Sequence, residues 1–185
     1  MTQTEAAVIA AAIGGLAALI AALVAAGVAL RNETRRRSAA RLDAERQALR
    51  SQAAEVFRHM FTLQQEMEWL TWHAANRPAQ SGPEIAASYE DAVHKAYPSL
   101  LGAMAVLASL DMDLYASLKP LAEQLYAADD QIAALITGLT SAETRQDSLA
   151  GLKACHGRVT ALYESLPPQM AKAMQLADTK YAARL

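Results

Sequence analysis

Apolar and polar positions alternate along this chain in three different ways. From Ala6 to Leu30 there is no charged or strongly polar side chain, so 25 consecutive positions are alanine, glycine, valine, isoleucine or leucine. About 20 such residues suffice to cross a bilayer as a helix. From Ala39 to Leu70 the pattern turns periodic. Ala39, Arg46, Ala53, Met60 and Met67 alternate with Leu42, Leu49, Val56, Leu63 and Leu70 in 3-4 spacing, an a/d stripe. Beyond Gly82 come shorter apolar stripes of helical period, separated by Pro, Gly, Asp and Ser.

No Pro or Gly interrupts residues 28–77, so the pattern predicts one long helix from the apolar run to about His73. The stripe fits a parallel coiled coil, with Glu45 at g and Arg50 at e as an interchain pair. It fits equally a helix packed in its own bundle. Arg46 at an a position between Ala39 and Ala53 makes the first part a weak seam, whereas Phe57, Met60, Phe61, Leu63, Met67, Trp69, Leu70 and Trp72 are too apolar to face water. The distal half is therefore expected in a core and the proximal half in a stalk.

Asn76 to Gly82 is the clearest break. Ser81, with Pro83 and with Glu84 three residues on, predicts a capped helix start, and Ile85, Tyr89, Val93 and Ala96 share one face. Tyr97 precedes Pro98 and is biased away from helix, which predicts a kink or turn. Pro98–Leu110 is uncharged over 13 residues, too short for a span and closed by Asp111 and Asp113. A buried core helix is the reading, with a re-entrant segment as the alternative. Leu114, Leu118, Leu121, Leu125, Ala128, Ile132, Leu135 and Leu139 then repeat in 3-4 spacing, with Asp111 or Asp113 available as N-cap. A further stripe holds Leu149, Leu152, Val159, Leu162 and Leu166. Pro167-Pro168 is expected to break it before a last helix on Met170, Met174, Ala177 and Tyr181.

The implied fold is all-α. A transmembrane helix at 6–30 follows a short extracytoplasmic N-terminus (1–5), continues as a basic juxtamembrane stalk (31–55) and leads into an antiparallel helical bundle (56–185). Composition agrees: 53% of the 185 residues are hydrophobic, rich in alanine and leucine, against 8 glycines, 6 prolines and 5% aromatics. A single cysteine, Cys155, leaves no intramolecular disulfide.

Charge gives the run a direction. Between Arg31 and Arg50 seven arginines face three acids, and from Ser51 onward ten Lys/Arg face fifteen Asp/Glu. The positive excess follows the run, and MTQTE before it holds no Lys or Arg, the reverse of a secretory signal. By the positive-inside rule the body lies on the cytoplasmic side of the inner (plasma) membrane with the N-terminus outside. Arg31, Arg35, Arg36, Arg37 and Arg41 are assigned to anionic lipid headgroups rather than to nucleic acid, since the body is acidic. The Asn32-Glu33-Thr34 sequon then falls on the inner side and is read as chance. Gly14, Ala18, Ala22 and Ala26 repeat every four residues, a small-residue face suited to self-association in lipid, or a by-product of alanine richness.

Catalytic chemistry is not indicated. A bundle di-iron site needs two Glu-x-x-His motifs, and the nearest match is Asp91 to His94, once, among i,i+4 surface pairs. Cys155 and His156 are neighbours that point about 100° apart on a helix, and no third group accompanies them. Asp129-Asp130 reads as a solvated pair. No phosphate loop, G-x-S-x-G or H-E-x-x-H occurs, so no catalytic residue, cofactor or metal is expected. Trp69 and Trp72, with Met67 and Phe61, are the one candidate groove for a partner or ligand, set against a plain core role.

The expected function is an oligomerising interaction module at the cytoplasmic face, with membrane lipid, a second copy and a cytoplasmic protein as partners. A membrane effector that assembles a pore or disrupts the bilayer is the alternative, and a ligand-binding sensor a further one.

Overall fold

The computed structural model describes the backbone of residues 3–182 and the side chains of residues 22–179. Four α-helices follow one another: α1 (Gln3–Asn76), α2 (Pro83–Leu110), α3 (Met112–Ile136) and α4 (Arg145–Ala182), with a 3-10 turn at Thr137–Thr140 between the last two. No strand occurs among the described residues. The chain forms two compact units, residues 1–45 and residues 46–185.

The second unit is an antiparallel four-helix bundle. As α1 ascends through Arg50, Gln64 and Thr71, its partners on α4 descend through Asp178, Val159 and His156. The a/d stripe explains this packing: Leu49, Ala53, Val56, Met60, Leu63, Met67 and Leu70 are all buried. The seam is thus intramolecular over its distal part, and the bundle takes in Arg46–Glu55, which the periodicity assigns to the stalk. The expected Glu45–Arg50 interchain pair is not needed by either partner. Glu45 receives Arg41 at 3.0 Å on the same helix, and Arg50 reaches Asp178 on α4.

The α2 core residues Tyr89, Val93, Ala96, Leu100, Ala103 and Leu107 follow unbroken 3-4 spacing, and those of α3 run from Leu114 to Ile136. Asp111 caps α3 as expected, its carboxylate accepting from the backbone N–H groups of Asp113 and Leu114 at 3.0 Å each.

Three local expectations are corrected. The N-cap of α2 is Gly82 with Pro83 at the first helical position, while the Ser81 hydroxyl is turned back to donate to the Arg77 carbonyl at 3.1 Å. Helix α2 passes through Pro98 without ending, and α4 passes through Pro167 and Pro168. In each case the flanking core positions, Ala96 with Leu100 and Leu166 with Ala173, keep their burial. Apolar packing on both sides of the proline outweighs the loss of one backbone hydrogen bond.

Among the described residues no helix is long and apolar enough to cross a membrane. Most of the 6–30 run, residues 6–21, lies outside those whose side chains are described. The single-pass span is therefore a reading of the sequence.

Candidate functional site

In the first unit every side chain from Ala22 to Arg41 is exposed, Leu23, Val24, Val28 and Leu30 by 53–68%. Gly14 and Ala18 of the small-residue face lie outside the described side chains, and Ala22 and Ala26 are exposed. Of the five collar arginines, Arg37 pairs with Glu33 at 2.8 Å and Arg41 with Glu45 at 3.0 Å. Arg31, Arg35 and Arg36 take part in no ion pair among the described residues. They present three unneutralised guanidinium groups within two helical turns of the last apolar residue.

The candidate groove residues are dispersed. Met67 is buried in the core. Phe61 is half-buried and meets Tyr163 of α4 edge-on, ring centres 6.1 Å apart. Trp69 and Trp72 stand on the surface around His73, at 4.7 and 5.2 Å, with the Arg77 guanidinium 5.4 Å from the Trp72 ring. The two tryptophans share a patch at one end of the bundle, to which Met67 and Phe61 do not belong.

Polar seams cross the bundle where the sequence pattern shows only helical stripes. Between α1 and α4, the Arg50 guanidinium binds the Asp178 carboxylate through both oxygens, at 2.6 and 2.9 Å, and Arg46 adds a contact at 2.9 Å. Hydrogen bonds from Arg50 and then Arg46 hold Asp178 below the ordinary carboxylate value, and the same carboxylate raises Arg50. Further along, Gln64, fully buried, donates to the Val159 carbonyl at 3.2 Å. Glu68 accepts from the Thr160 hydroxyl at 3.0 Å. His156 Nδ1 lies 3.2 Å from the Thr71 hydroxyl and 3.7 Å from Glu68. His156 is thus engaged across the α1–α4 seam, while Cys155 is buried with Arg158 3.5 Å from its sulfur.

The α2–α3 seam holds the one acid that the sequence reading misplaces. Asp129 is buried rather than solvated, its carboxylate accepting from the buried Tyr89 phenol, while its neighbour Asp130 is exposed. Tyr97, on the same helix as Tyr89, stacks on Tyr126, ring centres 5.0 Å apart. Burial first, and then the Asp129 carboxylate, push both Tyr89 and Tyr97 well above the ordinary phenol value.

An open cleft of about 810 Å³ lies where α3 begins and α4 approaches its end. Leu118 and Ala173 form its apolar floor, and Arg46, Lys172 and Asp178 its charged rim. Among the described residues no three His, Cys, Asp or Glu side chains are grouped so as to hold a metal ion.

No family model matches the sequence, and no curated protein or solved structure is significantly similar to it. The class defined by the fold is an all-α helical bundle.

Proposed function

We propose that the protein is a single-pass, membrane-anchored helical bundle that self-associates and presents its bundle to a protein partner at the cytoplasmic face. One observation carries this reading: 25 uncharged residues run directly into an arginine-rich segment. A helix face exposing Leu23, Val24, Val28 and Leu30 is costly in water and favourable in lipid. The guanidinium groups of Arg31, Arg35 and Arg36, which form no ion pair among the described residues, supply the charge that holds the adjacent boundary at anionic headgroups, worth about 1 kcal/mol for each arginine near the surface. The bundle then lies on the arginine side of the bilayer.

The test is alkaline carbonate extraction of membranes from cells making the full chain. The protein stays in the pellet, and Leu19→Arg with Leu23→Arg moves it to the supernatant. Protease added to sealed, inside-out vesicles removes the bundle, whereas right-side-out vesicles protect it. A wild-type chain released by carbonate, or a bundle digested from the outside, overturns the reading.

A further inference from the structure

Helix α2 changes character at Pro98. Before it, the outward arc carries Glu84, Glu90, Asp91, His94 and Lys95, all exposed, as expected of a helix that faces water. After it, the outward arc carries Leu101, Gly102, Ala105, Val106, Ser109 and Leu110, all exposed and none charged. Leu101 is 58% exposed, and Val106 and Leu110 are each 48% exposed. The inward arc of the same stretch, Leu100, Ala103, Met104 and Leu107, is buried. This half of α2 is therefore uncharged all round and mostly apolar, the composition of a helix covered on both sides, while its own bundle covers one.

We propose that the outer face of α2 from Pro98 to Leu110 packs against the same face of a second copy of the chain. Charge selects this occupant. The face holds no Lys or Arg, and the charged residues that follow it, on either side of the exposed Met112, are the acids Asp111 and Asp113, so an anionic bilayer surface finds no positive charge here to attract. A two-fold contact sets a patch against itself and needs self-complementarity. An uncharged apolar face meets that condition, and the charged first half of α2 does not.

Gly102 fits the same geometry. No atom of the chain lies within 4 Å of where its Cβ would stand, so its own bundle does not require glycine there. A mid-helix glycine nevertheless costs about 1 kcal/mol relative to alanine. With Ala105 and Ser109 at i+3 and i+7, it leaves a shallow strip between Leu101 and Val106 into which a second helix backbone fits.

The face is about 20 Å long. That is too small to bury the roughly 800 Å² per partner of a standard interface. The contact is accordingly weak between free copies and forms when copies are held in one membrane, at effective concentrations on the order of millimolar. In this respect the proposal rests on the anchored reading above.

The experiment uses the full chain carrying Cys155→Ser, with single cysteines at Ala105→Cys or Asp91→Cys, oxidised in isolated membranes. Ala105→Cys gives a covalent dimer and Asp91→Cys, on the charged half of the same face, does not. Val106→Glu added to Ala105→Cys puts a carboxylate into the contact and lowers the dimer yield about tenfold or more. Because Val106 is exposed, its melting temperature stays unchanged. Equal cross-linking at the two positions, or no effect of Val106→Glu, overturns the proposal. So does quenching by brominated lipid of a fluorophore attached to the thiol of the Ala105→Cys variant, which assigns the face to the bilayer. Failure of anchoring is read separately, as release of the chain by carbonate. The cross-link is then followed at rising concentration of the released chain, where it again forms at Ala105→Cys alone.

Discussion

The phenol of Tyr89 on α2 donates its hydrogen bond to the carboxylate of Asp129 on α3, with both side chains buried. A carboxylate removed from water needs such a donor. Tyr89→Phe keeps the ring and removes one donor, so a buried charge loses part of its solvation. The expected cost is about 1–3 kcal/mol, read from urea unfolding of the bundle followed by circular dichroism. Asp129→Asn, which still accepts from the Tyr89 phenol but carries no charge, should cost less than Asp129→Ala.

The same seam sets an alkaline limit on stability. Tyr89 and Tyr97 are held protonated in the fold beyond the value of about 10 at which free phenols ionise. Above that pH the unfolded chain has released these protons while the folded chain keeps them, so stability falls as pH rises. Below it the contribution is fully present. Unfolding midpoints measured from pH 8 to pH 11.5 should fall above pH about 10, and the fall should be shallower in Tyr97→Phe.

Asp178 works in the opposite pH range. Arg50 and Arg46 hold its pKa below the ordinary carboxylate value, so the pairing stabilises the fold above that value and is lost as pH falls and the carboxylate is protonated. Asp178→Asn should melt lower than wild type at pH 7. As pH falls through the depressed pKa of Asp178, the two curves should converge. Added salt narrows the gap at pH 7, because the cluster is partly exposed and therefore screened.

Much of this bundle is legible in 3-4 spacing. The stripes on α1, α2 and α3 name most of the buried side chains, because burial along a helix has one period and these helices keep it. Asp129 escaped because that period tolerates two registers after Leu125. One runs through Ala128 and Leu135, the other through Asp129 and Ile136, and hydrophobicity alone favours the first. In the fold, Asp129 and Ile136 are buried, while Ala128 and Leu135 are only partly so. The choice depends on the tyrosines of α2, which local spacing does not report. Asp178 escaped for a similar reason. Arg46 and Arg50 lie one turn apart on α1, a visible signal, but their partner lies 128 residues away from Arg50. The turn allowed for at Pro98 and the break expected at Pro167-Pro168 do not form, because a local bias against helix is small beside the apolar surface buried on either side.

The core seam on α1 separates two residues that the sequence groups together. Met67 is 1% exposed and Trp69 38%. Met67→Ala leaves a cavity among packed helices and should cost about 2–5 kcal/mol. Trp69→Ala removes a ring that lies against His73 on the surface and should cost less. Urea midpoints of the two variants should therefore differ clearly, and a larger loss for Trp69 would mean that its ring is buried in the working molecule.

Two glycines of α4 six residues apart separate helix propensity from packing. At Gly157 nothing lies within 4 Å of an added Cβ, whereas at Gly151 it would stand 2.5 Å from Leu135 Cδ2 and 3.2 Å from Cδ1. Gly157→Ala should stabilise the bundle by up to about 1 kcal/mol, through helix propensity alone. Gly151→Ala brings the same propensity gain but forces Leu135 out of its place between α3 and α4, a cost of about 1–3 kcal/mol for overpacking. Its unfolding midpoint should fall below wild type. Gly151→Ala combined with Leu135→Ala removes the clash but also the packing of Leu135. The double variant should therefore lose less than the two single losses added, because the residues share one contact.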